Sequence, residues 1–415
     1  MRPMAIIAAG VISPLGEGAA GYAVGELGAR PETRVRPDAE LAAAGLRRPN
    51  AARAPLAAST PGDRAHALLD RALSSLLTDL AATLPGFREL RLGVVLGTSS
   101  GGLGSLSELL AARARGQAIS QEQALSASYF GPLRALERWS LSPVRLTQVL
   151  VACASSTVAM GIGCRWLEAN ACDLVIAGGY DALTTFAAAG FEALGATTAS
   201  VPRPFRRDRD GLALGEGAAL VALARPTETP ALGYVLGFGL GSDAVHVTAP
   251  DRTGAGLARA ARAALSDAEV EPSRIDLISA HATATPFNDS AEGHAMAAVI
   301  GATVERVVVH PFKPSPATPW ALRAPSRPWR HCLPRARASC PPRTAQVSSK
   351  ASFPRVYAAK TSPATRPTCS SCRPRSAGLT LRSCSVRKRR AARRARAHTS
   401  GCVCVASASR SSRRT

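Results

Sequence analysis

Between residues 4 and 315, short β-branched runs alternate with longer Ala- and Leu-rich stretches, and this alternation limits the fold more than any other feature. The strand candidates are Ala5–Ile12, Leu92–Leu96, Thr147–Ala152, Leu174–Ala177, Ala218–Ala222, Ala231–Gly239, Ile275–Ala280 and Val304–Val309. The helix candidates are Asp63–Leu80, Leu106–Ala114, Ser156–Glu168, Gly254–Ser266 and Ser290–Ile300, with Gly and Pro at the joins. Strands separated by helices of this kind pack as α/β layers. Arg30–Pro61, rich in Pro, Ala and Arg, reads instead as a surface excursion with little regular structure.

The pattern stops near residue 315. The formal charge of the chain is +22, but residues 316–415 contain 23 Lys or Arg and no acid, so the first 315 residues hold 28 bases against 29 acids. A near-neutral body advertises neither nucleic acid nor an anionic membrane as a partner. The tail holds seven of the ten cysteines and is dominated by Arg, Pro, Ser and Cys without helical or strand periodicity. Too little apolar surface is available there to offset the entropy of ordering, which predicts a disordered tail. Its basic run Arg387–Arg396 and its pair Cys369 and Cys372 leave open nucleic-acid binding or half a zinc site, although no second cysteine pair at ribbon spacing completes the latter. Three scattered cysteines in the body fit a reduced, cytoplasmic protein. Met4–Ile12 reads as a buried strand rather than a secretory leader, and no run approaches the length of a membrane span.

Val149-Leu-Val-Ala-Cys-Ala-Ser-Ser-Thr reads as a buried strand that ends at Cys153 and passes into a helix whose inner positions are small. At a helix N-terminus, backbone N–H groups and the macrodipole favour a thiolate, the form an acyl-accepting cysteine needs. A lone cysteine is otherwise most often a small core residue, and Cys164 and Cys172 are assigned to that role. The run Gly97-Thr-Ser-Ser-Gly-Gly-Leu-Gly lacks both the Lys-Ser/Thr of a phosphate loop and the spacing of a dinucleotide fingerprint, so it reads as neither. Asp208 and Asp210 among Arg206, Arg207 and Arg209 read as a surface salt-bridged turn, not a metal site.

Further motifs follow Cys153 in order: Leu174-Val-Ile-Ala-Gly-Gly-Tyr-Asp, Arg203-Pro-Phe-Arg-Arg-Asp-Arg-Asp-Gly-Leu-Ala-Leu-Gly-Glu-Gly-Ala, Gly241-Ser-Asp-Ala-Val-His-Val-Thr-Ala-Pro and Ala280-His-Ala-Thr-Ala-Thr-Pro-Phe-Asn-Asp-Ser-Ala-Glu. With them, residues 4–315 resemble the β-ketoacyl-[acyl-carrier-protein] synthases, the condensing enzymes of type II fatty acid and polyketide synthesis. The resemblance implies a thiolase-like layered αβαβα fold of two related halves: residues 1–230 with the nucleophile, and a partial second half over 231–315. It implies that Cys153 carries the acyl thioester, that His281 donates from its ring to the enolate oxygen formed on decarboxylation, and that Thr283 and Thr285 hold the phosphopantetheine arm. Glu292 matches a carboxylate that orients a catalytic lysine, and Lys313 matches that lysine. Ala282 and Ala284 stand where the family commonly has Gly or another small residue. His246 and His294 fall outside the catalytic positions. Neither a metal nor a bound cofactor is implied, since the substrates ride on acyl carrier protein. The family is usually dimeric, which places Thr147–Ala152 near a two-fold axis and a second copy or a related subunit across it.

The family's second histidine, five residues after the lysine, has no counterpart: that position is Thr318. The Gly-Phe-Gly-Gly loop that supplies an oxyanion-hole N–H is also missing from the sequence. Reading the third base of each codon with the first two of the next, residues 316–324 permit Gly-His-Thr-Leu-Gly-Ala-Ala-Gly, which restores the histidine at the expected distance. A frameshift between Lys313 and Ala317 is therefore expected, with 316–415 as out-of-frame translation and the chain as it stands inactive. Three readings stay open: an elongating ketosynthase, a thiolase-fold acyltransferase acting on coenzyme A esters, and a non-catalytic partner subunit or broken gene product. Retention of Cys153 and His281 favours the first.

Overall fold

A computed structural model describes residues 1–18, 34–57, 63–246, 248–301 and 306–311, together with the backbone of a strand at 400–407. Its main strands are β1 (Met4–Ser13), β2 (Leu92–Gly97), β3 (Arg145–Val149), β4 (Leu174–Asp181), β5 (Gly217–Ala224), β6 (Gly233–Ser242), β7 (Leu277–Ser279), β8 (Val308–His310) and β9 (Ser400–Ser407). The helices that matter below are α1 (Arg64–Thr83), α2 (Leu103–Ala114), α3 (Ser155–Glu168), α4 (Thr185–Ala193), α5 (Ala255–Asp267) and α6 (Pro286–Ile300).

One mixed sheet runs in the order β9-β6-β1-β5-β4-β2-β3. The strands β4, β2 and β3 are parallel, whereas β1, β5, β6 and β9 join their neighbours antiparallel. Every residue of β2 is buried, as expected for a short continuous apolar strand covered on both faces. The two faces of β1 separate cleanly. Ile7 and Ile12 pack with the Leu68, Leu69, Leu73 and Leu76 stripe of α1, while Met4 and Ile6 pack with Val158, Ala159 and Leu167 of α3. Asp63 caps α1 by accepting from the N–H groups of Ala65 and His66 at 2.7 and 3.1 Å.

The strand β6 begins the second expected half, yet it pairs with β1 and so extends the sheet of the first. Beyond it, the parallel pair β7–β8 lies against α5 and α6 around Leu265, Ile275, Ile300 and Val307.

Two expectations are corrected. The Arg30–Pro61 excursion contains regular structure: Arg36–Pro37 pairs with Asn50–Ala52, which pairs in turn with Leu214–Gly215. Between them a helix at Ala39–Ala43 is capped by Asp38, and Arg53 holds Asp38 and Glu40 at 2.6 and 2.7 Å. The tail expected to lack regular structure supplies β9, antiparallel to β6. Its sequence Ser-Gly-Cys-Val-Cys-Val-Ala-Ser is small and β-branched, and the edge of β6 offers a row of backbone donors and acceptors to such a segment. Residues 312–399, which include Lys313 and the expected frameshift, lie outside the described residues.

Candidate active site

The strand β3 ends at Val149, three residues earlier than the sequence suggests, and Cys153 lies on a single 3-10 turn, Ala152–Ala154, that leads into α3. Ala152 has φ +48°, the left-handed region that alanine occupies only at a cost, and the Cys153 side chain is exposed. Glycines at two strand ends let the start of α3 approach this closely. A Cβ on Gly97 would stand 2.3 Å from the carbonyl carbon of Ser155, and one on Gly179 would stand 2.5 Å from Ser156 Cβ.

The buried hydroxyl of Ser155 accepts the Val151 N–H at 2.8 Å and has the carbonyls of Ala152 and Thr98 at 2.7 and 3.0 Å. Behind it, Asp181 at the end of β4 gathers the loop after β2. Its carboxylate accepts from the hydroxyls of Thr98, Ser99 and Ser100 and from the N–H groups of Ser99 and Ser100, all between 2.8 and 2.9 Å. The Gly97–Gly104 run thus carries the end of β2 into α2, the strand-to-helix loop that the family resemblance implies, and it supports the cysteine turn.

The second cluster is the segment from β7 into α6. His281 follows the end of β7, and the buried carboxylate of Glu292 accepts the N–H groups of His281 and Ala282 at 2.5 and 2.8 Å. One α-helical turn earlier, Asp289 accepts the N–H of Ala284 at 3.1 Å and that of Phe205 at 2.7 Å. Ala282 and Ala284 have φ +47° and +62°, so the two carboxylates tie down a backbone that leaves the usual region twice. Between them the hydroxyls of Thr283 and Thr285 are 2.9 Å apart. Burial raises the Asp289 carboxyl above the ordinary carboxylate range, partly offset by the N–H of Phe205, the Asn288 side chain and the Arg209 guanidinium.

The loop between α4 and β5 reaches from one cluster to the other. It follows Asp181 and α4 in the chain, and its Phe205 and Arg209 dock on the His281 segment: Phe205 packs with Ala280, Ala282 and Met296, and Arg209 donates to the Pro286 carbonyl at 3.1 Å. This corrects the reading of 206–210 as only a surface turn. Arg203 and Asp208 do pair at the surface, but Asp210 accepts from the Thr198 hydroxyl and the Ala199 N–H, and Arg209 turns inward, 3.8 Å from Asp289. At the base of the loop Glu216, fully buried, accepts from the N–H groups of Ala54 and Leu183 and from Arg64.

Cys164 and Cys172 are buried, and desolvation pushes the Cys164 thiol up to about 12. His246 and His294 are exposed, and each bonds local backbone: His246 accepts from Thr248 and Ala249, and His294 meets the Arg252 carbonyl. Among the described residues no three His, Cys, Asp or Glu side chains cluster as metal ligands, and no helix is long and apolar enough to cross a membrane. Sequence reading missed Ser155, Asp181, Glu216 and Asp289. The signal for Asp181 and Glu216 was an acidic residue next to or near glycines in an apolar run, and for Asp289 a carboxylate three residues before Glu292 on one helix face; Ser155 had no such signal.

The model of the β-ketoacyl synthase N-terminal domain matches residues 1–229, and that of the β-ketoacyl synthase C-terminal domain matches residues 232–315. A 3-oxoacyl-[acyl-carrier-protein] synthase 2 of Staphylococcus aureus is 33% identical over 175 residues, which is 40% of this chain and 43% of that protein. A 3-oxoacyl-[acyl-carrier-protein] synthase 2 of Coxiella burnetii is 32% identical over 177 residues, again 40% and 43%. The matched segment thus spans less than half the length of these curated relatives. Among solved structures, the ishigamide ketosynthase/chain length factor is 28% identical with a TM-score of 0.65, covering 76% of this chain and 81% of that one. A β-ketoacyl synthase from Burkholderia phymatum is 27% identical with a TM-score of 0.62, covering 74% and 80%. A type II polyketide ketosynthase in complex with its acyl carrier protein shares the fold at 20% identity, with a TM-score of 0.68 over 76% of this chain and 82% of that one.

Proposed function

The chain belongs to the β-ketoacyl synthase family and has its thiolase-like fold, and from that premise we propose that Cys153 is the acyl-accepting nucleophile of a decarboxylative condensation. The observation that carries this reading is the exposed thiol on the 3-10 turn at the mouth of α3, with Ala152 at positive φ and Gly97 and Gly179 leaving room for the start of that helix. The Cys153 thiolate attacks the carbonyl carbon of a thioester on acyl carrier protein; the bond to the pantetheine sulfur breaks, and that sulfur leaves as the thiol. A malonyl group on a second carrier then loses carbon dioxide, and the electron pair of the broken C–C bond passes to the enolate, whose oxygen His281 stabilises by hydrogen bonding. The enolate carbon attacks the Cys153 thioester, and the cysteine sulfur departs. Thr283 and Thr285 hold the phosphopantetheine arm, which carries the substrates to Cys153 and His281, so the proposed steps use neither metal nor bound cofactor. The orienting of Lys313 by Glu292 belongs to the same proposal.

The partners that fit are acyl carrier protein and either a second copy or a related subunit. The strand β3 sits at the end of the sheet with Val144, Leu146 and Leu150 exposed on or beside it, an apolar margin suited to such a subunit. A cytoplasmic setting accords with three unpaired body cysteines. Because the second histidine is not encoded in this frame, we place condensation with the frame-restored protein and assign the chain as it stands at most the first transfer. Incubation of each form with acyl-carrier protein and mass spectrometry of Cys153 is the test. Absence of a thioester on frame-restored protein rejects the reading, and C–C bond formation by the chain as it stands rejects the frame argument.

A further inference from the structure

We propose that Ser155 is a positioning residue for Cys153, a strap that closes the strained turn on which the thiol sits; this rests on the reading of Cys153 as nucleophile. The hydroxyl lies two residues beyond the thiol and bonds the backbone on its other side. It accepts the Val151 N–H at 2.8 Å and donates toward the Ala152 carbonyl at 2.7 Å, with the Thr98 carbonyl at 3.0 Å as the alternative acceptor. Three successive residues before Ser155 form the 3-10 turn, and the first of them, Ala152, is held at φ +48°. A left-handed alanine persists only where its surroundings over-determine it, and here they are this hydroxyl, the Ala154 N–H on the Val151 carbonyl at 3.1 Å and the loop behind. Ser155 is 3% exposed, so neither substrate nor solvent replaces these bonds.

The strap is anchored. Thr98, whose carbonyl faces Ser155, bonds Asp181 through its own hydroxyl at 2.8 Å and accepts the Gly101 N–H at 2.8 Å. Two carbonyls and one N–H therefore converge on Ser155 from β2, from the end of β3 and from the turn. Removing the hydroxyl leaves the Val151 N–H without its partner and frees Ala152 to relax toward ordinary angles, which moves the sulfur. A displacement of about 1 Å in a reacting atom is enough to cost on the order of a hundredfold in rate.

The test uses three variants, Ser155→Thr, Ser155→Val and Ser155→Ala, in the full chain. Thr and Val have the same shape, so any difference between them isolates the hydroxyl. Single-turnover acylation of Cys153 by an acyl-pantetheine thioester is followed by mass spectrometry. The expected result is a limiting rate at least tenfold lower in S155V and S155A, with half-saturation within twofold, and S155T within about threefold of the parent. Equal limiting rates in S155V and S155T overturn the inference. Alkylation of Cys153 by iodoacetamide needs no thioester chemistry and is expected to differ at least fivefold between S155V and S155T; equal alkylation rates overturn the inference whatever acylation shows. A parent chain that is alkylated at Cys153 but never acylated rejects the nucleophile reading instead. Protection of the buried Cys164 in every variant reports an intact fold.

Discussion

The carboxylate of Glu292 closes over the backbone of His281, accepting its N–H at 2.5 Å and that of Ala282 at 2.8 Å. A side chain one helix away thus sets the path of the chain on which the histidine is carried, and it does so from a buried position. The Ala282 N–H is buried and that of His281 part-buried. Leaving a buried donor unpaired costs about 1–3 kcal/mol and a part-buried one less, so Glu292→Ala is expected to destabilise the fold by about 2–5 kcal/mol. Glu292→Gln, which keeps one acceptor oxygen, is expected to lose about half as much. Urea unfolding of the three proteins measures this, and a neutral Glu292→Ala would show that the carboxylate does not hold the loop.

Ala282 and Ala284 stand at positions where the resemblance implies Gly or another small residue. Their positive φ values locate the cost of alanine in the backbone, since both methyl groups are buried within the fold at 1% and 0% exposure. Relief of a left-handed alanine is worth about 1–2 kcal/mol. Against it stand about 0.8 kcal/mol for the lost buried methyl and about 0.5–1 kcal/mol for the added freedom of the unfolded chain. The terms nearly cancel, and Ala284→Gly is expected to shift stability by less than about 1 kcal/mol. Ala284→Val, bulky and β-branched at φ +62°, is expected to cost about 2 kcal/mol or more. Thermal unfolding of the pair separates backbone strain from packing; a valine variant as stable as the parent would contradict the strained geometry.

The buried ion pair between Arg64 and Glu216 joins the start of α1 to the base of the loop that carries Phe205 and Arg209. Glu216 has no exposed side-chain surface, so Arg64→Ala leaves an uncompensated charge in the interior. The expected loss is about 3–5 kcal/mol. The double variant Arg64→Met with Glu216→Gln removes both charges and is expected to recover part of that loss. Denaturant midpoints of the double variant and of Arg64→Met and Glu216→Gln alone decide it, and additive losses in the double variant would mean that the two residues do not act as a pair.

The layers were legible because periodicity is local: each of the strands β1, β2, β4 and β5 overlaps a run visible in the sequence. Cys153 and His281 were singled out for a different reason, the order and spacing of whole motifs. The supports were not. Asp181 reaches Thr98, Ser99 and Ser100 only because β2 and β4 are parallel neighbours in a register that sets Gly97 opposite Gly179. Such registers depend on strand order, which no single stretch encodes. The small sheet formed by residues 36–37, 50–52 and 214–215 escaped because its strands are two or three residues long and because 214–215 lies more than 150 positions from its partner 50–52. In β9, partner and composition act together, since Val403 and Val405 are ordinary strand formers once an edge is offered.

Asp289 gives the fold a pH dependence opposite in sign to that of a paired surface carboxylate. Burial is the largest influence on it and raises its pKa above the ordinary 3.8, despite the N–H of Phe205, the Asn288 side chain, Arg209 and the N–H of Ala284, which pull the other way. The folded state therefore holds this proton more tightly than the unfolded chain does. Between the unfolded pKa and the raised folded one the folded state binds more protons, so the contribution of Asp289 to stability is largest at low pH and falls as pH rises through that window. Asp267 runs the other way. Desolvation alone would raise its carboxyl, but the N–H of Phe238, Arg165 and the N-terminal ammonium together hold it below its ordinary value, so its contribution is present at neutral pH and lost on acidification. Asp289→Asn removes the first effect and keeps the second. The difference in melting temperature, variant minus parent, is expected to become more positive as pH is raised from below 3.8 toward neutrality. Thermal scans across that range measure it, and a difference that stays flat or turns more negative would show that burial does not govern the charge of Asp289.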